Sequence, residues 1–331
     1  MLGGTPSAGG KPKVPKIVVT GQLAEPALKV LGEVGEVWVA ESQLGPDELR
    51  ERVAGAHALV TMVGDRVDGA VADAAGPDLA VVANVAVGYD NLDVKALTER
   101  GVTVTNTPGV LTEATADLAF GLLLMCTRRL GEGERLLRSR TPWTFHLGFM
   151  LGAGLQGRTL GIVGLGQIGR AMARRAKAFG LEIVYSGRNR APAEVEAELG
   201  ARRLPLDELL RSADFVSLHC PLTPETRHLI NADTLRTMKP GAYLVNTTRG
   251  AVVDEPALAE ALADGVLAGA ALDVFEKEPE VEPRLLELEN VVITPHLGSA
   301  TVETRTEMAL LAARNVAAVL SGEPALTAVT A

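Results

Sequence analysis

The sequence predicts an α/β protein with two doubly wound parallel sheets, and three observations carry that reading. Short β-rich runs alternate with amphipathic helical patterns almost from end to end, as parallel strands joined by helical crossovers require. A long apolar helix beginning at Thr112 interrupts the alternation, which restarts at Thr159. The length of 331 residues suffices for two buried cores.

In the first third, strands are predicted at residues 16–20, 37–40, 57–62, 79–85 and 102–105, with amphipathic helices such as 47–54 and 93–100 between them. Helix 112–129 follows, opened by Thr112 and carrying Glu113 and Asp117 in its first turns. It is nearly all apolar, yet too short and too charged at its ends to span a membrane, so burial between the domains is expected. Residues 131–155 fit neither sheet. They read as an irregular loop with Trp143, Phe145, Phe149 and Met150 among glycines, a surface for a partner subunit to bury. Six further strands are predicted at 159–163, 182–186, 215–219, 242–246, 268–274 and 291–294, enough for a complete dinucleotide-binding sheet. The closing helix, 301–320, has no strand after it and is expected to pack back on the first unit.

Composition narrows the function classes. Apolar residues at 47% and charged residues at 22% are ordinary for a soluble protein, and no apolar run is long enough for a membrane helix. A net charge of −9 argues against a nucleic-acid surface. Residues 1–15, rich in Gly, Pro and Lys, read as a disordered tail, not a secretory signal. Cys126 and Cys220 lie in apolar stretches without metal-ligand spacing, so reduced buried thiols, no metal site and a cytoplasmic setting are expected.

Gly164-Leu165-Gly166-Gln167-Ile168-Gly169 follows a predicted strand and opens a predicted helix. Alone the glycine pattern is weak; in this context it indicates a dinucleotide site. Gly164 allows the tight turn, Gly166 the close approach of a pyrophosphate, and Gly169 the packing of helix on strand. The helix start at Gln167 and Ile168 offers unpaired N–H groups to the phosphates. At the end of the second strand, where NAD enzymes place a carboxylate for the ribose, the chain reads Ser186-Gly187-Arg188-Asn189-Arg190. A carboxylate would repel a 2′-phosphate and arginines would bind it, so NADPH is expected over NADH.

Three residues downstream sit at strand ends or in adjoining loops, where open α/β sheets place their chemistry: Arg249, Glu278 and His296. Each alone has a bland reading; together, behind a cofactor motif, they suit reduction of a 2-keto acid. A histidine supplies the proton to the forming alkoxide. A neighbouring carboxylate, Glu278, orients the ring and favours its protonated form. Arg249 forks onto the substrate carboxylate and polarises the carbonyl.

These motifs, with Gly241–Asp254, Ala271–Pro279, Thr294–Ala300 and Ala86–Asp93, resemble the D-isomer-specific 2-hydroxyacid dehydrogenase family over nearly the whole chain after Lys16. Ser186-Gly187-Arg188, Trp143 and the run Thr107-Pro108 with Val110-Leu111-Thr112 resemble its glyoxylate/hydroxypyruvate reductase group. The resemblance implies a flavodoxin-like substrate domain from residues 16–108 and 296–331, with a Rossmann cofactor domain, 109–295, inserted between them. It implies a homodimer clasped through the 131–155 loop, with Trp143 reaching the partner's site. It further implies that N–H groups of Val87 and Gly88 receive the substrate carboxylate with Arg249, and that Ser299 and His296 line the substrate. Thr247 and Asp273 would face the nicotinamide and Pro221 the adenosine, with Cys220, Thr248 and Gly298 also at the cofactor. Relatives acting on D-lactate, 2-ketogluconate, D-3-phosphoglycerate or phosphite, and nicotinamide-sensing corepressors, share the triad and stand as alternatives.

Overall fold

Runs of β-branched and aliphatic residues pair into two separate sheets, parallel throughout, in the computed structural model, which describes residues 14–330. The chain divides into two compact units, one of residues up to Val110 together with 302 onward, the other Leu111–Thr301.

The first unit holds β1 (Lys16–Val19), β2 (Glu36–Val39), β3 (Ala58–Thr61), β4 (Val81–Asn84) and β5 (Thr103–Thr105) in the order β2-β1-β3-β4-β5. That is the flavodoxin-like order. The sequences ALVT and VVAN of β3 and β4 are buried at every position, as a strand covered on both faces demands. Helix Val302–Leu320 packs on helix Glu25–Gly32, β3 and β4. It turns Met308, Ala309, Ala312, Ala313 and Val316 inward, and the small alanines let the helix lie close to the sheet. The chain then returns beside β5, where Ala328 pairs with Thr105 and the Val329 N–H donates to the Val104 carbonyl at 2.8 Å.

The second unit holds β6 (Thr159–Val163), β7 (Glu182–Ser186), β8 (Ala201–Arg203), β9 (Phe215–Leu218), β10 (Tyr243–Asn246), β11 (Gly269–Leu272) and β12 (Val291–Ile293). Their order is β12-β11-β10-β9-β6-β7-β8, with the direction of winding reversing between β6 and β9. Such a switch point is where doubly wound sheets bind ligands. Helix Thr112–Thr127 packs on helix Gln167–Ala178, β10 and β11. Phe120 and Leu123 meet Leu160, Ile162, Met172, Phe215 and Val245 in one buried cluster.

Three expectations need correction. A seventh strand, β8, was missed because Ala201-Arg202-Arg203 has no β-branched residue and exposes both arginines on the sheet edge. Part of the supposed loop is the helix Leu130–Arg138, whose pattern Gly131 and Gly133 obscured; Arg129, at φ 53°, breaks it from the preceding helix. Thr112 is the first helical residue, not a side-chain cap, for Leu111 holds the cap position.

The expected tail, 1–15, lies outside the described residues except for Val14 and Pro15, whose carbonyl accepts from Glu36 N–H at 2.8 Å. Both cysteines are reduced and buried, and burial pushes the Cys126 and Cys220 thiols up to about 12 and about 11. Among the described residues no helix is long and apolar enough to cross a membrane, and no acidic, His or Cys cluster is arranged to hold a metal.

Candidate active site

The second unit brings Arg249, Glu278 and His296 together through backbone packing. Asn246, buried at the end of β10, takes hydrogen bonds from Thr248 N–H at 3.0 Å and Thr248 Oγ1 at 2.8 Å, and donates to the Arg249 carbonyl at 2.9 Å. This staples the turn that carries Arg249, whose Nη1 also donates to the Thr248 carbonyl at 2.9 Å. The next residue, Gly250, lies directly on the backbone of Phe275 and Glu276. A Cβ there would stand 1.8 Å from the Phe275 carbonyl carbon and 2.1 Å from Glu276 N. Only glycine permits that approach, and it sets the loop of Glu278 against the turn of Arg249.

Glu278 is fixed at both oxygens. Phe275 N–H donates to Oε1 at 3.0 Å, and His296 Nδ1 lies 2.8 Å from Oε2. Burial pushes the Glu278 carboxyl up, but the His296 hydrogen bond, the Phe275 N–H and the charges of His296 and Arg249 outweigh it and hold the group below its usual 4.5. A depressed carboxylate keeps its charge through neutral pH, and the pair's contribution to stability is lost only as pH falls through the lowered value. With Nδ1 committed to Glu278, Nε2 is the nitrogen left to exchange a proton with a substrate.

His296 itself sits at φ 53°, a left-handed conformation disfavoured for a side-chain-bearing residue. Asp273, fully buried at the end of β11, enforces it. Its Oδ1 accepts from Thr294 Oγ1 at 2.6 Å and Leu297 N–H at 2.7 Å, its Oδ2 from Gly298 N–H at 2.7 Å, and its carbonyl from His296 N–H at 2.8 Å. Thr115 Oγ1 adds a bond to the Gly298 carbonyl at 3.1 Å. Sequence reasoning placed Asp273 at the nicotinamide and Gly298 at the cofactor; their observed polar contacts hold the His296 loop. Ser299 is half-buried beside it.

The glycine turn lies across the same strand ends. Gly164, at φ 99°, packs on the His219–Cys220 backbone, where a Cβ would stand 2.7 Å from the His219 carbonyl carbon. Gly169 packs on Gly164, with 2.2 Å from a Cβ to its carbonyl oxygen. At Gly166 a Cβ would meet nothing within 4 Å. Helix Gln167–Ala178 opens without a side-chain cap, so its first N–H groups remain for a ligand. Extending the strand register past Val163, Leu218, Asn246 and Leu272 aligns Gly164, His219, Thr247 and Asp273 in one row. Thr247 Oγ1 and His219 Nδ1 are buried there without a hydrogen-bond partner among the described residues. The open glycine, the uncapped helix start and two orphaned polar atoms fit a dinucleotide.

His219 escaped sequence reasoning: its Nε2 lies 2.8 Å from Ser217 Oγ, and burial pushes the ring down to about 4. Cys220, expected among the cofactor-binding residues, packs its side chain in the core with Val163, Leu218 and Ile230. Pro221 offers its carbonyl to Thr226 Oγ1 at 2.7 Å.

At the end of β7 the two arginines differ. Arg190 is ion-paired with Glu196 at 2.9 Å, so the expectation that it reads a phosphate is weakened. Arg188 is exposed, and a third guanidinium, Arg203 on β8, donates to the Gly187 and Arg188 carbonyls at 2.9 and 3.3 Å. Arg203 was missed because its strand was. Trp143 stacks on Phe149 with ring centroids 5.6 Å apart. Val87 and Gly88 lie in the first unit, in the turn after β4.

Two glycine variants separate packing from binding. Gly250→Ala is expected to cost about 3 kcal/mol, the upper range for overpacking, read from urea midpoints. Gly166→Ala is expected to cost about 1 kcal/mol or less yet weaken nicotinamide dinucleotide binding, followed by fluorescence titration, by about tenfold or more. Equal stability of the two variants would show that the Gly250 apposition does not constrain the site.

Comparison with known proteins agrees with this arrangement. Residues 120–298 match the family model "D-isomer specific 2-hydroxyacid dehydrogenase, NAD binding domain". The chain is 51% identical over 315 residues to a glyoxylate reductase of Thermococcus onnurineus, covering 93% of this chain and 94% of that protein. A crystal structure from Thermus thermophilus superposes with a TM-score of 0.89 at 48% identity, covering 95% of this chain and 100% of that one. An NADPH-dependent glyoxylate/hydroxypyruvate reductase of Sinorhizobium meliloti, solved with NADP and malonate, superposes with a TM-score of 0.85 at 38% identity, over 96% of this chain and 97% of that one. The chain belongs to the D-isomer-specific 2-hydroxyacid dehydrogenase family, whose NAD-binding domain its second unit carries.

Proposed function

We propose that this protein reduces glyoxylate, hydroxypyruvate and similar small 2-keto acids to D-2-hydroxy acids, using NADPH in preference to NADH. The observation that carries the reading is the His296 Nδ1–Glu278 Oε2 contact at 2.8 Å beside Arg249, within a chain about half identical to a glyoxylate reductase over most of its length. When bound, the nicotinamide supplies the hydride. Gly164, Gly166 and the start of helix Gln167–Ala178 would hold the pyrophosphate of the dinucleotide, and Thr247 and His219 would meet the cofactor at the strand ends.

The protein's own work is to bind, orient and protonate. N–H groups of Val87 and Gly88 receive the substrate carboxylate, and Arg249 binds it as a fork and polarises the carbonyl. As the carbonyl carbon takes up hydride, its oxygen gains a proton from His296 Nε2. Glu278 holds the ring through Nδ1 and keeps Nε2 as its donor. In reduction the imidazolium thus becomes neutral and is recharged from solvent. Substitution His296→Ala is expected to cut turnover of glyoxylate about 100-fold or more, measured as initial rates with glyoxylate and hydroxypyruvate. Near-normal turnover removes the acid role. No turnover of either acid by the unaltered protein retires the named substrates and calls for a wider 2-keto acid panel.

NADPH preference is supported by the absence of a carboxylate at Ser186 and by the exposed Arg188, with Arg203 bracing its turn. Placing a carboxylate there, Ser186→Asp, is expected to move the NADPH/NADH ratio of kcat/KM toward NADH by about tenfold or more. An unchanged ratio means that this corner does not read the phosphate.

We also propose a homodimer working in the cytoplasm, where the two reduced thiols would persist. The support is a contiguous apolar segment with Trp143 52%, Phe145 76%, Leu147 90% and Leu151 68% exposed. A monomer does not readily leave such a surface in water. Light scattering is expected to give twice the chain mass, and Phe145→Asp with Leu147→Asp to give one; a wild-type monomer overturns it.

A further inference from the structure

At Ala86, Val87 and Gly88 the substrate loop of the first unit is held through its carbonyls. The Ala86 carbonyl accepts from Thr107 N–H at 2.9 Å, the Val87 carbonyl from Asn106 Nδ2 at 2.8 Å, and the Gly88 carbonyl from Asn84 Nδ2 at 2.9 Å. Asn84 is fully buried at the end of β4. Its orientation is dictated from the side. Asn91 gives its amide to the Met62 and Asp65 carbonyls at 3.2 and 2.9 Å, so its oxygen faces Asn84, 3.2 Å from Nδ2.

A trans peptide unit points its C=O and N–H in opposite directions. Three carbonyls in a row are held by residues from the strand ends. The N–H groups of Val87, Gly88 and Tyr89, which share those three peptide planes, are therefore turned away from the holding residues. None of the three donates to any backbone or side-chain acceptor among the described residues. Val87 and Gly88 are half-buried and Tyr89 is exposed, so a ligand can reach them. Successive outward N–H groups make an anion-binding concavity.

Asn106 is itself tethered. Thr327 Oγ1 donates to its carbonyl at 2.7 Å, and that hydroxyl accepts from Asn315 Nδ2 at 2.8 Å. Asn315, fully buried on helix Val302–Leu320, also accepts from Thr327 N–H at 3.0 Å. The relay runs from the last helix, through the strand-like return beside β5, to the substrate loop.

We infer that Asn84, Asn106 and the Asn315–Thr327 relay are positioning residues that hold three carbonyls inward, so that Val87, Gly88 and Tyr89 N–H groups together receive the carboxylate of the 2-keto acid. The inference rests on the reading of Val87 and Gly88 as carboxylate receptors. It adds Tyr89 N–H as a third donor and gives the segment around Thr327 a part in substrate binding. Recognition through backbone N–H groups leaves the substrate's other substituent unread by this loop.

The test is the split between substrate and cofactor parameters in Asn106→Ala, the isosteric Asn106→Asp, and Asn315→Ala. Removing the donor is expected to raise the KM for glyoxylate and the inhibition constant of oxalate about tenfold, while the NADPH dissociation constant stays within about twofold. Asn106→Asp, which puts a carboxylate against the carbonyl, is expected to exceed Asn106→Ala, and Asn315→Ala to move the same two constants by less. A merely structural role would lower thermal stability without separating substrate from cofactor. Unchanged KM and oxalate inhibition in Asn106→Asp, with an active unaltered enzyme, overturns the positioning role alone; that variant decides the matter if Asn106→Ala does not fold. An unaltered enzyme that neither turns over glyoxylate nor binds oxalate overturns the underlying functional reading, and the inference with it.

Discussion

The catalytic half of this protein depends on one buried side chain, Asp273. Each of its oxygens accepts from the 294–298 loop, and its carbonyl takes the N–H of His296. A polar group so enclosed is tolerable only when its hydrogen bonds are made, and here they can be made only if the loop folds tightly around it. The left-handed backbone of His296 follows from that requirement. Strain of this kind persists where the surroundings over-determine the conformation. The imidazole is consequently delivered to Glu278 by backbone constraints, with little left to side-chain rotation.

The first unit uses the same principle with both an accepting carboxylate and donating amides. Asp65, buried at the end of β3, gathers the hydroxyls of Thr20 and Thr61 and the N–H of Met62. Asn84, Asn91 and Asn106 then fix the adjoining turns by gripping carbonyls. In both units polar side chains at the carboxyl ends of buried strands shape the loops. Parallel sheets direct chemistry to that edge, and it needs rigid loops, since misplacement by an ångström is costly to catalysis.

The residues proposed to carry chemistry were legible because chemistry restricts residue type. Histidine, a carboxylate and an arginine at successive strand ends, behind a glycine turn, leave few other readings, and the structure draws Arg249, Glu278 and His296 together. The residues that support them were not legible, or were read differently. Asp273 was read for the cofactor alone, because its position in the motif does not say that its carboxylate also holds the 294–298 loop. Cys220 looked alike until the core claimed its side chain. Arg190 looked equivalent to Arg188, but Glu196, in a separate helix, had to be located before the ion pair between them was visible.

What the sequence determined by itself was the order of elements and which polar residues stand at the strand ends. Hydrophobic periodicity is a local property, set by which face of each strand or helix is buried, and eleven of the twelve strands among the described residues announced themselves that way. The exception, β8, gains its pairing from β7 and carries no pattern of its own. Only the tertiary structure decided how the groups are held. Gly250 lies on Phe275, 25 positions further along the chain and roughly the span of one strand–helix crossover, and Thr327 grips Asn106 from 221 residues away. Such contacts depend on where backbones meet in space, and a sequence records the residues that tolerate the meeting without recording the meeting itself.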